Sequence, residues 1–109
     1  MRLFITKKKL IKKFAEELAY LQIRADWWYY VASGDKEENR NMSSSELDDV
    51  TELRCICNDL GILKEVYNQA YKIYDFRNSG KKDYVADVEL IKQLNRDFCD
   101  PRKKSRPII

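Results

Sequence analysis

Residues 58–61 read Asn58-Asp59-Leu60-Gly61, and the fold turns on whether a helix runs through them or stops there. On both sides of this stretch, Leu53, Ile56, Leu60, Leu63, Tyr67, Ala70 and Tyr74 follow one another at spacings of three and four. That is the pattern of an apolar stripe along an α-helix. The stripe keeps its phase across Gly61, which predicts one long helix from about Ser45 to Arg77, bent at Gly61. Glycine in a helix interior costs about 1 kcal/mol relative to alanine. Two helices, broken at Gly61, are the alternative.

Upstream of this helix, Ser43-Ser44-Ser45-Glu46 offers a start, with Ser43 as N-cap, Glu46 closing a capping box and Met42 stapled to Leu47. The polar run from Gly34 to Met42, GDKEENRNM, then reads as a loop. Before it lies a first helix, capped by Thr6 with Ile5 and Leu10 as a hydrophobic staple. Ile11, Phe14, Leu18, Leu21, Ala25, Trp28 and Ala32 form its seam, and Ser33-Gly34 supplies the stop.

Downstream, Asn78-Ser79-Gly80-Lys81-Lys82 reads as a turn and Asp83 as a cap. Val85, Val88, Ile91, Leu94 and Phe98 mark a shorter third helix that ends before Pro101. Only three Gly and two Pro occur among 109 residues, too little turn punctuation for a β fold. The expectation is an all-α domain: an antiparallel pair of long helices with a shorter third, a three-helix bundle, or four helices if the second breaks at Gly61. Residues 1–100 form one domain on this reading, and 101–109 a flexible basic tail.

The segment Trp27-Trp28-Tyr29-Tyr30 poses a different question. Successive helical residues step about 100° around the axis, so four aromatic neighbours cannot share one buried face. Trp28 belongs to the main seam and is expected in the core. Tyr20, Ile23, Trp27 and Tyr30 make a second seam confined to the later half of the helix. A short third helix covering the early half would leave this second seam bare, which makes Tyr20, Ile23, Trp27 and Tyr30 the candidate protein interface, toward a foreign partner or a second copy in a homodimer.

Charge is unevenly placed. Residues 1–13 carry Arg2, Lys7, Lys8, Lys9, Lys12 and Lys13 and no acid, whereas residues 35–53 carry seven acids against Lys36 and Arg40. If the second helix returns beside the first, Lys72, Arg77, Lys81 and Lys82 join the lysine run and the molecule has a basic and an acidic end. Lys7, Lys8, Lys9, Lys12, Lys13, Lys81 and Lys82, with Arg102, Lys103, Lys104 and Arg106 of the tail, are candidate phosphate contacts. At a net charge of only +3, such a surface predicts weak, salt-sensitive binding of nucleic acid. A solvated, solubilising face explains the same residues.

Chemistry finds no foothold in the sequence. There is no His, no glycine-rich phosphate loop and no nucleophile elbow. Glu16-Glu17 and Asp48-Asp49 are adjacent acids that point about 100° apart on a helix and ordinarily face water. Cys55 and Cys57 project to opposite sides of a helix, and with Cys99 they make an odd number, so neither a disulfide framework nor a metal set is expected. They read as small packing residues. No cofactor and no metal are expected. At the N-terminus charges follow a very short apolar run, the reverse of a secretory signal, and no stretch approaches the roughly 18 apolar residues of a membrane span. A cytoplasmic location follows as an expectation.

These features favour a small non-enzymatic interaction protein. Its size and its Lys-, Ile-, Asn- and Tyr-rich composition suggest a phage or mobile-element origin. Its most concrete role would be an inhibitor or adaptor of a nucleic-acid-handling complex, such as an anti-CRISPR-like or other anti-defence protein. A direct, low-specificity DNA- or RNA-binding protein using the lysine end and tail is the alternative.

Overall fold

The computed structural model describes residues 6–98, so the Ile5 staple, Arg2, Cys99 and the tail carrying Arg102, Lys103, Lys104 and Arg106 lie outside the described residues. The order of elements is α1 (Lys7–Asp26), a five-residue π-helical turn (Trp27–Val31), α2 (Lys36–Asp59), α3 (Leu63–Ile73) and α4 (Val88–Phe98). Among the described residues there is no strand. The fold is all-α, with four α-helices among the described residues.

The expected long second helix is therefore two, and the reason is a complete glycine C-cap at Gly61. Gly61 has φ +72°, a left-handed conformation that a Cβ penalises. The Ile62 amide donates to the Cys57 carbonyl and the Gly61 amide to that of Asn58, both at 3.0 Å. This is the Schellman arrangement, with its accompanying apolar contact supplied by two buried residues, Ile62 and Cys57. The unbroken phase misled because α3 is amphipathic in its own right. It buries Val66 and Ala70, with Ile62 just before it also buried, while Leu60, on the predicted stripe, is 52% exposed.

α2 begins at Lys36, inside the expected loop, because Asp35 is the N-cap. Its carboxylate accepts from the Glu37 amide at 2.9 Å and the Glu38 amide at 3.4 Å, and the two glutamates suit the positive end of the helix dipole. Ser43 is thus no cap but a buried mid-helix residue whose hydroxyl donates to the Ala25 carbonyl at 2.8 Å. Met42 and Leu47 are both exposed and form no staple.

Contacts fix the directions of the helices. Ser43 and Glu46 meet Ala25 and Arg24, whereas Glu52 and Ile56 lie across from Glu17 and Leu21, so α2 runs opposite to α1. α3 returns parallel to α1: Glu65 near its start lies 4.0 Å from Lys7, and Tyr74 just past its end reaches Asp26. α1 is the central element, and Phe14, Leu18, Ile23, Cys57, Val66 and Ile91 are the largest side chains fully buried around it.

α4 does not cover the early half of α1 as expected. That flank is taken by α3, whose Gln69, Lys72 and Ile73 lie beside Lys12, Ala15 and Glu16. α4 packs instead on the π turn and α1, contributing Ile91 to the common core. Asp87, not Asp83, caps it, accepting from the Leu90 amide at 3.1 Å. Asp83 takes φ +69° in the preceding turn, and Val85 is 87% exposed.

The π turn explains the fate of the aromatic run. The Ala32 amide donates to the Trp27 carbonyl at 2.9 Å, an i→i+5 bond that inserts one residue into the helical turn. Seams extrapolated at spacings of three and four lose register beyond it. Trp27, Tyr30 and Val31 pack against the core, and Trp28, half-buried, does not belong to it. The expectation that Trp28 is a core residue is corrected accordingly. Ile23, placed in the candidate interface by sequence, is fully buried.

Candidate functional site

The most unusual chemistry in the molecule sits where the α-helical register ends. Asp26 is the last residue of α1 and is buried. Buried carboxylates are rare unless neutralised or richly hydrogen-bonded, and Asp26 takes the second course. Gln22 Nε2, one turn earlier, donates to Oδ1 at 3.0 Å. The Tyr74 hydroxyl donates to Oδ2. The Ser79 hydroxyl lies 2.8 Å from both oxygens. Among the described residues no cationic side chain is in this set.

Burial pushes the pKa of Asp26 above the usual carboxylate value, against the pull of the Tyr74, Ser79 and Gln22 donors. Tyr74 is likewise pushed up, first by burial and then by the neighbouring Asp26 charge. Tyr30 joins from the π turn: its hydroxyl accepts the Gly80 amide at 3.2 Å, and its ring meets the edge of Tyr84 with centroids 5.7 Å apart. Gly80 has φ +82°, the backbone conformation that lets the 77–80 turn bend toward Tyr30. The segment after α3 is thereby fastened to the end of α1 through polar groups.

α2 is fastened to the same end by polar groups as well. Residues 39, 43, 46, 50, 53 and 57 step by four and three along its inner stripe, and the first three are Asn, Ser and Glu. Asn39 Nδ2 donates to the Ala32 and Ser33 carbonyls at 3.2 and 3.1 Å. Glu46 pairs with Arg24 at 3.3 Å. Burial pushes the pKa of Glu46 up, opposed by Arg24 and reinforced by Asp49.

Between these elements lies a cavity of about 310 Å³, with Gln22, Asp26, Ser43, Leu47, Phe76 and Ser79 in its lining. Tyr29, 57% exposed, and Tyr30 complete its wall. Tyr29 also borders a neighbouring hollow with Trp28, Lys36 and Arg40. An enclosed carboxylate in an aromatic cavity at a π turn is a reasonable seat for function. Sequence reasoning missed it, because a lone Asp in a helix resembles a solvated one. Its partners Tyr74 and Ser79 lie 48 and 53 residues away.

The residues singled out from sequence are distributed as follows. Tyr20, Trp27 and Tyr30 are half-buried against the core. Lys8, Lys9, Lys12 and Lys13 are exposed along the start of α1, with Lys7 beside Glu65. Lys81 and Lys82 are exposed but follow Gly80 at the Tyr30 end, about 30 Å of helix away, so the lysines do not form one cluster. Cys57 is fully buried, and burial pushes its thiol pKa up, which disfavours the reactive thiolate. Cys55 is exposed. Among the described residues no group of three or more His, Cys, Asp or Glu is placed to hold a metal ion, and no helix is long and apolar enough to cross a membrane.

Comparisons of the chain with protein-family models, with curated proteins and with solved structures give no match.

Proposed function

We propose that this is a non-enzymatic interaction protein of the cytoplasm, an inhibitor or adaptor of a nucleic-acid-handling complex of the kind that phages and mobile elements direct against host defence. The observation that supports this reading is the outer surface of α2. From Asp35 to Asp59 the chain carries eight acids against Lys36, Arg40 and Arg54, and all the acids except Glu46 are exposed. Met42, Leu47, Ile56 and Leu60 stand exposed among them. A ridge of carboxylates interleaved with apolar contacts suits a basic groove built for phosphate. Tyr20, Trp27 and Tyr30 at the end of α1 remain a candidate second contact, toward a partner or another copy of the chain.

The test is an in vitro cleavage assay with a panel of bacterial defence nucleases and a labelled duplex. The expected result is that one nuclease is inhibited and that Asp48→Lys/Asp49→Lys/Glu52→Lys abolishes the inhibition while leaving helicity intact. Inhibition unchanged by the charge reversal removes α2 from the mechanism.

A direct nucleic-acid contact is the second reading, supported by the exposed Lys8, Lys9, Lys12 and Lys13 on α1. It predicts retardation of the duplex itself, falling steeply with salt.

A further inference from the structure

The Asp26 cavity has an asymmetry of hydrogen-bonding capacity that specifies a ligand. An ionised carboxylate offers about four lone-pair sites, and Asp26 meets three donors: Gln22 Nε2, the Tyr74 hydroxyl and the single Ser79 proton shared between its two oxygens. One acceptor site is left over. Two hydroxyls of the lining have likewise spent their protons inside the protein, whereas the Tyr30 hydroxyl accepts the Gly80 amide and has its own proton to give. The Ser43 hydroxyl donates to the Ala25 carbonyl and that of Ser79 to Asp26, so both present oxygen lone pairs. Beside Asp26 the lining thus offers acceptors next to a negative charge, and none of its residues is a cation. A ligand that fits must bring donors and positive charge.

We infer that this cavity binds a guanidinium group, presented by an arginine side chain. A guanidinium carries five N–H donors and no acceptor, the complement of the Asp26 carboxylate and the two serine oxygens. It is planar and weakly hydrated, and it stacks on aromatic faces, which Tyr29, Tyr30 and Phe76 supply. Leu47 at the wall matches the apolar stem of arginine. A compact ammonium is more strongly hydrated and gains less from such walls. A metal ion finds only one carboxylate among the lining residues.

The arginine can come from a partner protein or from Arg102 or Arg106 of this chain. The partner source rests on the proposed function, whereas the site itself does not.

The probe is N-acetyl-arginine amide, titrated into the full chain and followed by amide ¹H–¹⁵N shifts. Saturable shifts are expected at Tyr30, Ser79 and Gly80, and none with the neutral N-acetyl-citrulline amide. Asp26→Asn should weaken binding roughly tenfold or more, the scale of one charge-assisted hydrogen bond. Because Asp26 is also structural, Tyr29→Ala provides a second test: this exposed ring contributes little to folding, and its loss should weaken binding several-fold through lost stacking. Tighter probe binding in Arg102→Gln/Arg106→Gln supports the site and assigns its occupant to the tail, whereas unchanged binding supports the site with an arginine from outside. Equal shifts with the citrulline probe, undiminished binding in Asp26→Asn, or no saturable shift in either the wild-type chain or the double arginine variant overturns the inference. Failure of nuclease inhibition alone bears on the proposed function and leaves these outcomes untouched.

Discussion

The two ends of α1 are held by opposite means. Toward Lys7, the helix is clamped by hydrocarbon: Ile11, Phe14, Ala15 and Leu18 are buried with Val66 and Ala70 of α3 and Cys57 of α2. Toward Asp26, the same helix is clamped by hydrogen bonds, from Ser43 and Asn39 of α2 on one side and from Tyr74 and Ser79 on the other. Apolar packing gives most of the free energy but is non-directional. A polar cluster contributes less per group and demands one geometry. The hydrocarbon end therefore supplies stability, and the polar end fixes how the 74–87 connection and the start of α2 are seated.

The sharpest test of this contrast is Phe14→Ala. Phe14 is 1% exposed, and its truncation should cost about 3–5 kcal/mol, measured by urea unfolding. A loss under about 1 kcal/mol would mean that the hydrocarbon end is not the main source of stability.

Asp26→Ala strands the Gln22, Tyr74 and Ser79 donors and should cost about 3 kcal/mol. Its pH signature identifies the carboxyl. Because the folded pKa of Asp26 lies above the ordinary 3.8, the protonated group contributes stability that is full below about that value and is lost as pH rises through the raised one. Asn cannot titrate, so the stability difference between wild type and Asp26→Asn should shift against wild type over that window and be flat above it. Glu46 has the same sense of shift, occurs in both proteins and cancels. A difference independent of pH would place the carboxyl in water.

Trp27 and Trp28 are neighbours with rings 5.0 Å apart, yet only Trp27 packs against the core. Trp27→Ala should lose about 2–3 kcal/mol and Trp28→Ala about 1 kcal/mol, less than the 3–5 kcal/mol of a fully buried aromatic. The reverse order in thermal melts would mean a regular α-helix through residues 27–31.

Gly61→Ala meets no atom within 4 Å, so its cost is the left-handed backbone alone, about 1–2 kcal/mol. No loss would imply that the chain can run helical through Gly61.

The features legible in the sequence are those whose cause is local. Thr6 caps α1, accepting from the Lys9 amide at 3.2 Å, and the seam from Ile11 to Ala25 is buried as its spacing demands. The start of α2 was hidden because its inner stripe is Asn39, Ser43 and Glu46, which hydropathy reads as loop. The break at Gly61 was signalled by glycine followed by Ile62, the apolar position of a Schellman cap, but an accidental continuity of phase argued the other way. The π turn has no residue signature, and a seam carried through it at spacings of three and four misplaces Trp28. Asp26 was illegible for a third reason: its role depends on side chains some fifty residues distant, and no spacing rule reaches them.

The connection from Tyr74 to Asp87 has one further consequence. It contains no regular helix; its start is packed into the core by Tyr74 and Phe76, its polar ties run through Asp26 and Tyr30, and α4 beyond it enters the core by Ile91. α1, α2 and α3 share their own apolar contacts and do not need α4 to meet one another. The molecule thus has two opening free energies. In amide hydrogen exchange, the amides of α4 and Gly80 should become deuterated together, at a lower free energy than those around Leu18, and Asp26→Asn should speed the first group while leaving the second nearly unchanged.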